Sequence, residues 1–312
     1  LLVFASATPR TETYHAAANG KYKLVTLKRR YGERPLPKVD FIDMRAELAA
    51  GNPREVSACM AQELQKNLDN GEQSILLLNR RGYHTVGMCT VCGHVLNCPN
   101  CSVPLVYHKP QQALMCHHCG HTVQPLPQTC PECGGKLRYS GFGTQRVEEE
   151  LAELLPQARV LRMDQDSTGQ KNAHEKMLAE FGRHDYDILL GTQMVAKGLD
   201  FEKVTLVGVL GIDSLLFGQG FRAYENVFSL VTQVIGRGGR AELPGRALIQ
   251  TTVPGHPVLQ LAAAQDYEAF YREEIAFRKF GLYPPFCAFC VAGFVGAQEG
   301  AVALAAHRFG TL

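Results

Sequence analysis

The stretch CTVCGHVLNCPNC, residues 89–101, holds four cysteines in thirteen residues, and two more C-x-x-C pairs follow at Cys116/Cys119 and Cys130/Cys133. A two-residue gap lets both thiolates of a tight turn reach one tetrahedral Zn²⁺ at about 2.3 Å. Because eight thiolates complete two four-cysteine sites with no open position, the pattern predicts two structural zinc ions. The segment 86–140 is then expected to need the metal to fold. Spacing alone leaves open which pairs share an ion.

A disulfide framework is the competing interpretation of so many cysteines, but it is typical of small secreted chains. The opening LLVFASATPR has no basic region and no small-residue cleavage site, and no apolar run reaches the roughly 20 residues of a membrane span. Both ends of the chain are expected to be truncated. Outside the cluster, Cys59 is predicted to lie in a helical core, and Cys287 and Cys290 in a buried strand.

The flanks of the cysteine segment alternate short apolar strands with amphipathic helices, which is typical of a parallel sheet covered on both faces. SILLLN (74–79) precedes the insert, and TQRVEEELAELLP (144–156) follows it as a helix. The sequence therefore predicts one α/β domain that the cysteines interrupt. Residues 1–35 are expected to end a preceding domain, which opens with a strand at Leu1–Ala5, and residues 36–45 to form a linker. The α/β domain comprises 46–85 and 141–255, with the insert 86–140 between its two pieces. Residues 256–312 are expected to form a truncated C-terminal α+β domain.

Helix and strand boundaries follow from local signals. Asn52-Pro53 is predicted to begin the first helix of the α/β domain, because Asn is a favoured cap and Pro a favoured first residue.

The formal net charge is only +2 and the apolar fraction is 46%. Any nucleic-acid contact must therefore come from a local patch rather than from the field of the whole chain.

Three loops carry residues suited to phosphate chemistry: Ser6-Ala7-Thr8, GTQMVAKGLDF (191–201) and QVIGRGGR (233–240). Gly191 lets the backbone approach a phosphate, and Thr192 and Lys197 supply a hydroxyl and a charge. In the third loop Arg237 and Arg240 repel each other unless an anion lies between them, which points to a nucleotide γ-phosphate.

In this order the three loops resemble motifs III, V and VI of superfamily 2 helicases. Four C-x-x-C pairs inside the second helicase lobe narrow the resemblance to the bacterial replication-restart helicases, the primosomal protein N′ (PriA) family. SATPRTETYHAA, NRRGYH, GFGTQRVEEEL, GTQMVAKGLDF and YPPF fit that family along nearly the whole chain. The resemblance implies a RecA-like parallel-sheet helicase lobe with an inserted zinc-ribbon-like domain and the start of a small C-terminal α+β domain.

The resemblance also implies roles for individual residues. Gln233, Arg237 and Arg240 would face ATP across the lobe cleft, one of the two arginines acting as an arginine finger, with room left by Gly236. Thr192 and Gln193 would contact the DNA backbone. Lys197, Gly198 and Asp200 would couple DNA to nucleotide, and Ser6 and Thr8 would link hydrolysis to lobe movement.

For the metals the resemblance implies nested sites. Cys89, Cys92, Cys130 and Cys133 would hold one zinc ion, and Cys98, Cys101, Cys116 and Cys119 the other. The insert would help to open duplex ends and to hold primosome proteins. The implied partners are forked DNA with single-stranded/duplex junctions, primosome proteins and single-stranded DNA-binding protein, in the bacterial cytoplasm at the nucleoid, with no membrane.

The chain departs from the family pattern at Gly238, usually Ala, and at Leu199, usually His, which removes a polar contact. It also contains no G-x-x-x-x-G-K-[ST] and no D-E-x-H sequence. These motifs cradle the phosphates and hold Mg²⁺, so the chain alone is expected to be inactive, with ATP and Mg²⁺ bound only in the full-length protein. Two alternatives remain: a non-enzymatic zinc-ribbon module that binds nucleic acid or protein, and another superfamily 2 DNA translocase such as a fork-remodelling helicase.

Overall fold

The chain folds into two compact units. Unit 1 comprises Leu1–Arg81 and Gly143–Phe289, and unit 2 comprises Gly82–Phe142 and Cys290–Leu312. The computed structural model describes residues 2–27, 36–79, 87–89, 92, 94–100, 104–108, 111–116, 119–139, 144–163, 173–192, 201–217, 220–236, 245–288, 290, 292–294, 296 and 298–311.

Eleven strands and ten helices lie within these described residues. The strands are β1 Lys38–Asp43, β2 Gln73–Leu78, β3 Gly87–Cys89, β4 Val106–His108, β5 Ala113–Met115, β6 Thr122–Val123, β7 Leu137–Tyr139, β8 Val160–Met163, β9 Ile188–Gly191, β10 Val204–Leu210 and β11 Arg246–Thr251. The helices are α1 Thr11–Ala18, α2 Met44–Ala49, α3 Ala58–Asp69, α4 Thr144–Leu154, α5 Ala173–Gly182, α6 Asp213–Leu216, α7 Ala223–Ile235, α8 Pro257–Ala264, α9 Tyr267–Phe280 and α10 Glu299–Gly310.

Unit 1 is built on a six-stranded sheet in the order β1-β11-β10-β2-β9-β8, in which every neighbouring pair is parallel. Alternate residues of β2 serve opposite faces, as a strand's period of two requires. Ile75 and Leu77 pack with α7 and α8, whereas Leu76 and Leu78 pack with α3 and α4. The predicted α/β class, a parallel sheet covered on both faces, is confirmed.

The helix predicted to begin at Asn52-Pro53 begins instead at Ala58. Ser57 is its cap, and the Ser57 hydroxyl accepts the Met60 N–H at 3.0 Å. Side chains from distant elements hold the preceding residues out of helical conformation. The Glu150 carboxylate accepts the N–H groups of Glu55 and Val56 at 2.8 and 3.1 Å. The start of α3 is thus decided by tertiary partners rather than by the local Asn-Pro signal.

Glu55 lies against the first turn of α4. Its carboxylate is 3.9 Å from the Arg146 guanidinium, which also binds Glu150 at 3.2 Å. Only 17% of the Glu55 side chain is exposed. Burial raises the pKa of Glu55 to about 7, the Arg146 charge opposes the shift, and the Glu150 charge adds to it.

We expect Glu55→Gln to become more stable than the wild type as the pH rises from 5 to 8. Because the folded pKa lies above the ordinary value of 4.5, the wild-type contribution is complete below about pH 4.5 and is lost as the pH passes 7. The difference in the free energy of unfolding should reach at most about 3 kcal/mol, measured by urea unfolding followed by circular dichroism. Glu153→Gln, which removes a 68%-exposed carboxylate from α4, the helix that Glu55 contacts, is the control. If the free energy of unfolding of Glu55→Gln and of the wild type depended equally on pH, the raised pKa assigned to Glu55 would be contradicted.

Three segments differ from the sequence-based expectations. Residues 38–43, placed in the predicted linker, form the edge strand β1, because KVDFID pairs in register with the free edge of β11. Residues 2–5 form no strand within the described chain, and Leu2, Val3 and Phe4 are 72–79% exposed. Residues 256–288, expected in a separate domain, pack into unit 1 because Val258, Leu259, Ala262 and Phe270 join its larger core cluster.

Two cysteine predictions outside the cluster are wrong. Cys59 is exposed on α3, because the buried stripe of that helix runs through Met60 and Leu64, one residue further along. Cys287 is half-buried and Cys290 exposed, and the described residues around them form no strand. An apolar run needs a partner strand or a covering layer to be buried, and the sequence does not reveal whether one is present.

Unit 2 is held by short antiparallel strands. β3 pairs with β7, and β4, β5 and β6 form a three-stranded sheet. Its core is small: four leucines, Leu96, Leu105, Leu114 and Leu137, pack with the buried thiols of four cysteines. Among the described residues, none of the helices, α10 included, combines the length and apolarity of a membrane span.

Candidate functional sites

The first candidate metal centre brings together Cys89, Cys92, Cys130 and Cys133. All four sulfur atoms lie within 4.8 Å of one another. The Sγ atoms of Cys89 and Cys133 are 3.5 Å apart, and those of Cys92 and Cys130 are 3.7 Å apart. A tetrahedral ion with bonds of about 2.3 Å separates its sulfur ligands by roughly 3.8 Å. The four thiols are therefore arranged as a zinc site requires.

The second candidate centre contains Cys98, Cys116 and Cys119, whose sulfur atoms also lie within 4.8 Å of one another. Cys98 and Cys119 are 3.6 Å apart, and the Asn100 side chain points to the Cys119 sulfur at 3.9 Å. Cys101, the fourth predicted ligand, lies outside the described residues. The described thiols group as outer pairs and inner pairs, which is the nested arrangement that the resemblance implies.

Three of the four C-x-x-C turns share one backbone geometry. The N–H of the first cysteine donates to the carbonyl five residues later: Cys89 to His94 and Cys116 to His121 at 2.8 Å, and Cys130 to Gly135 at 2.7 Å. Gly120 and Gly134 take positive φ values of 75° and 71°, a region that favours glycine. Each turn is thus formed locally, whereas the grouping of two turns around one centre depends on how the strands of unit 2 pair.

In unit 1 the structure brings two predicted loops together. The Thr8 hydroxyl lies 2.9 Å from the Ser229 hydroxyl on α7, and the Gln233 amide donates to both, at 3.1 and 2.8 Å. Ser6 accepts the Thr8 N–H at 3.1 Å, which closes the loop on itself. The predicted SAT segment is therefore hydrogen-bonded to α7, whose last turn contains the first residues of QVIGRGGR and whose C-cap is Gly236.

Thr192 follows β9 at the carboxyl end of the sheet, the edge at which α/β sheets bind ligands. Its N–H donates to the Met163 carbonyl on the neighbouring strand at 3.4 Å. The other predicted nucleotide and DNA residues lie outside the described residues: Gln193, Lys197, Gly198, Asp200, Arg237 and Arg240. Their roles stay predictions.

Sequence reasoning missed a group of buried charges beside the Thr8 contact. Arg278 of α9 is 0% exposed and binds Glu274, one turn earlier, at 2.7 Å. It also binds Glu225 of α7 at 3.0 Å and Glu12 of α1 at 3.1 Å. The only local signal is the i,i+4 spacing of Glu274 and Arg278, which on an exposed helix is an ordinary surface pair.

Comparison with known protein families matches two regions of the chain. A sequence model described as the PriA DNA helicase Cys-rich region (CRR) domain matches residues 98–123, and one described as the helicase conserved C-terminal domain matches residues 139–242. The first match covers the inner cysteine group, and the second covers α4 to α7 of unit 1.

Two whole proteins with similar sequences carry the same name. Replication restart protein PriA of Bacillus subtilis is 50% identical over 91% of this chain, and that of Chlamydia pneumoniae is 42% identical over 98%. The chain spans 35% and 41% of these two relatives, respectively. Among solved structures, RecG bound to a three-way DNA junction is 11% identical, with a TM-score of 0.42, over 97% of this chain and 29% of that chain.

Proposed function

The chain belongs to the family of the replication restart proteins PriA, and we propose that it forms part of an ATP-dependent DNA helicase that restarts replication at stalled or forked DNA. The observation that carries the proposal is the position of the two cysteine groups. In sequence they lie between β2 and α4, two elements of the parallel-sheet unit, and residues 139–242 match the helicase conserved C-terminal domain. A zinc module alone leaves the hydrogen bonds between Thr8 and Gln233 unexplained.

In this proposal the cysteine groups have a structural role. Cys89, Cys92, Cys130 and Cys133 hold one Zn²⁺, and Cys98, Cys101, Cys116 and Cys119 hold the other. With four thiolates each, both ions lack an open coordination position and take no part in hydrolysis. Their contribution is to fix the short strands of unit 2. The insert held in this way helps to open duplex ends and to bind primosome proteins and single-stranded DNA-binding protein.

The nucleotide-linked residues begin in the last turn of α7 with Gln233 and continue in the sequence directly after that helix. Gln233, Arg237 and Arg240 approach the triphosphate across the cleft between two helicase lobes, and Gly236 leaves space for the backbone. One of the two arginines stabilises the charge that develops on the γ-phosphate, which is worth about 10³–10⁵ in rate. Residues that cradle the phosphates and bind Mg²⁺ belong, in this proposal, to a part of the full-length protein outside this chain.

The DNA-linked residues are those that follow β9 in the sequence, beginning with Thr192, and those of the SAT loop. Thr192 and Gln193 hold the DNA backbone, while Lys197, Gly198 and Asp200 transmit the state of the nucleotide to it. Ser6 and Thr8 couple ATP hydrolysis to the movement of the lobes through the contact between Thr8 and Gln233. Alternate closing and opening of the lobes then moves the strand in the 3′ to 5′ direction. The protein acts in the bacterial cytoplasm, at the nucleoid.

The test compares the full-length protein with the 312-residue chain. We expect the full-length protein to hydrolyse ATP only slowly without DNA, faster with forked DNA, and to unwind forks in the 3′ to 5′ direction. The isolated chain should not hydrolyse ATP, because its sequence has neither phosphate-cradling nor Mg²⁺-binding motif. A full-length protein that binds zinc and DNA but never hydrolyses ATP would instead favour the non-enzymatic zinc module.

A further inference from the structure

Arg278 occupies an unusual position for a charged residue. It is 0% exposed, and its three guanidinium nitrogens contact carboxylates from three helices: Glu274 of α9, Glu225 of α7 and Glu12 of α1. Arginine stays ionised in proteins and presents its donors in a rigid, planar fork. The fork therefore fixes the relative positions of the three helices that supply the carboxylates.

The surroundings of Arg278 complete the cluster. Arg222, at the start of α7, binds Glu12 at 2.6 Å and lies 3.9 Å from Glu225. The Phe221 ring lies 4.7 Å from the Arg222 guanidinium carbon and 5.0 Å from that of Arg278. Burial raises the pKa of Glu274, although its bond to Arg278 opposes the shift. Such a cluster is costly to desolvate, and the loss of one partner leaves buried charge uncompensated.

The helices joined by this cluster carry the two loops that meet at Thr8. The helix α1 begins three residues after Thr8, and its first N–H, that of Thr11, donates to Glu225 at 2.7 Å. The hydroxyl of Tyr267 on α9 donates to the Pro9 carbonyl at 2.8 Å. Gln233, which donates to Thr8, lies on the same helix as Glu225. The segment after the SAT loop is thus fastened to α7 and α9 by backbone and side-chain bonds.

We propose that Arg278 is a positioning residue that holds α1 against α7, so that Thr8 and Gln233 stay in contact and DNA binding can accelerate ATP hydrolysis. This rests on the proposed function, because it assigns Arg278 to the coupling of that activity. Arg278 touches neither nucleotide nor DNA in this account. It acts through Glu12 and Glu225, so its removal should impair coupling more than binding.

A merely structural ion cluster makes a different prediction. Its loss would reduce the folded fraction, so that ATP hydrolysis with and without DNA would fall in the same proportion. A positioning role reduces the stimulation by DNA while the folded molecules still bind ATP and DNA. The ratio of kcat with DNA to kcat without DNA separates the two roles, because that ratio does not depend on the folded fraction.

The experiment uses the full-length protein with Arg278→Met, which keeps the length of the side chain and removes its charge, and Glu12→Gln, which weakens only the link to α1. We expect both to lower the DNA stimulation of kcat at least about fivefold, the lower range of allosteric coupling. The KM for ATP and the Kd for forked DNA should stay within about twofold. Arg159→Met is the control, because it breaks an Arg–Asp pair outside the cluster, between the residues that directly precede β8 and β9.

The outcomes separate the two proposals. A wild-type protein without DNA-stimulated ATP hydrolysis would overturn the proposed function and this inference with it. A wild type that is stimulated, with Glu12→Gln stimulated equally, would overturn the inference alone, and Glu12→Gln decides the matter if Arg278→Met does not fold. Loss of stimulation in Glu12→Gln, with the control unchanged, supports the positioning role.

Discussion

Arg240→Ala in the full-length protein is expected to reduce the kcat for ATP hydrolysis by about 10³–10⁵, the range measured for arginines that stabilise phosphoryl transfer. Arg237 comes one residue and Arg240 four residues after Gly236, the C-cap of α7, so both are close in sequence to Gln233 in the last turn of that helix. Two adjacent guanidiniums repel each other unless an anion lies between them, and the developing negative charge of the γ-phosphate provides that anion. DNA binding should be retained, because the substituted side chain is assigned to the nucleotide.

The measurement is steady-state ATP hydrolysis at saturating forked DNA, together with the Kd for that DNA. Arg237→Ala is measured in parallel, because the sequence leaves open which arginine is the finger. Arg183→Ala, which removes a 62%-exposed guanidinium that pairs with Asp185 at the surface, is the control. Normal ATP turnover in both Arg237→Ala and Arg240→Ala would refute the assignment of this loop to the nucleotide.

Removal of zinc is expected to unfold the segment 87–139 of unit 2. The core of that segment contains four buried leucines besides its cysteines, and a core of this size seldom stabilises a fold without metal or disulfide. Structural zinc sites contribute about 10–16 kcal/mol of apparent binding free energy at pH 7. Chelation should therefore abolish protection of the amides of β3 to β7 from hydrogen exchange. Among the described residues, none of this segment belongs to the core clusters of unit 1. The amides of unit 1 should therefore stay protected.

Single substitutions assign the cysteines to the two centres. Cys130→Ser, in the outer group, and Cys116→Ser, in the inner group, should each lower the zinc content from two ions to one, measured by mass spectrometry of the native protein. Cys59→Ser is the control, because Cys59 is an exposed thiol on α3 of unit 1. A protein that carries no zinc as purified, yet protects the amides of β3 to β7, would contradict the metal assignment.

Local pattern was sufficient where the structure depends on neighbours in sequence. The strand SILLLN and the helix that begins at Thr144 appear where the local pattern predicts them. The C-x-x-C turns are also local, because each needs only a short loop and, in two of the described turns, a glycine at positive φ. The grouping of outer with outer and inner with inner pairs came from family resemblance, and the described sulfur positions agree with it.

The sequence-based interpretation failed where a residue's environment is supplied from far along the chain. The helix α3 begins after Ser57 and not at Asn52-Pro53, because Glu150, almost one hundred residues later, binds the N–H groups of Glu55 and Val56. Residues 38–43 lie in the predicted linker but form a strand, because they pair with a strand that begins only at Arg246. Cys287 and Cys290 were placed in a buried strand because apolarity predicts burial but cannot identify the surface that would provide it.

By itself, therefore, the sequence determined the parallel α/β class and the interruption by four thiol pairs, and it predicted which loops would bind phosphate. These depend on the spacing of residue types over a few turns or strands. The tertiary structure alone decided that Thr8 meets Gln233 and that Arg278 is buried among carboxylates from α1, α7 and α9. Burial and ion pairing are properties of the space between elements. The packing of α1, α7 and α9 brings Glu12 together with Glu225 and Arg278, both of which lie more than two hundred residues later in the chain.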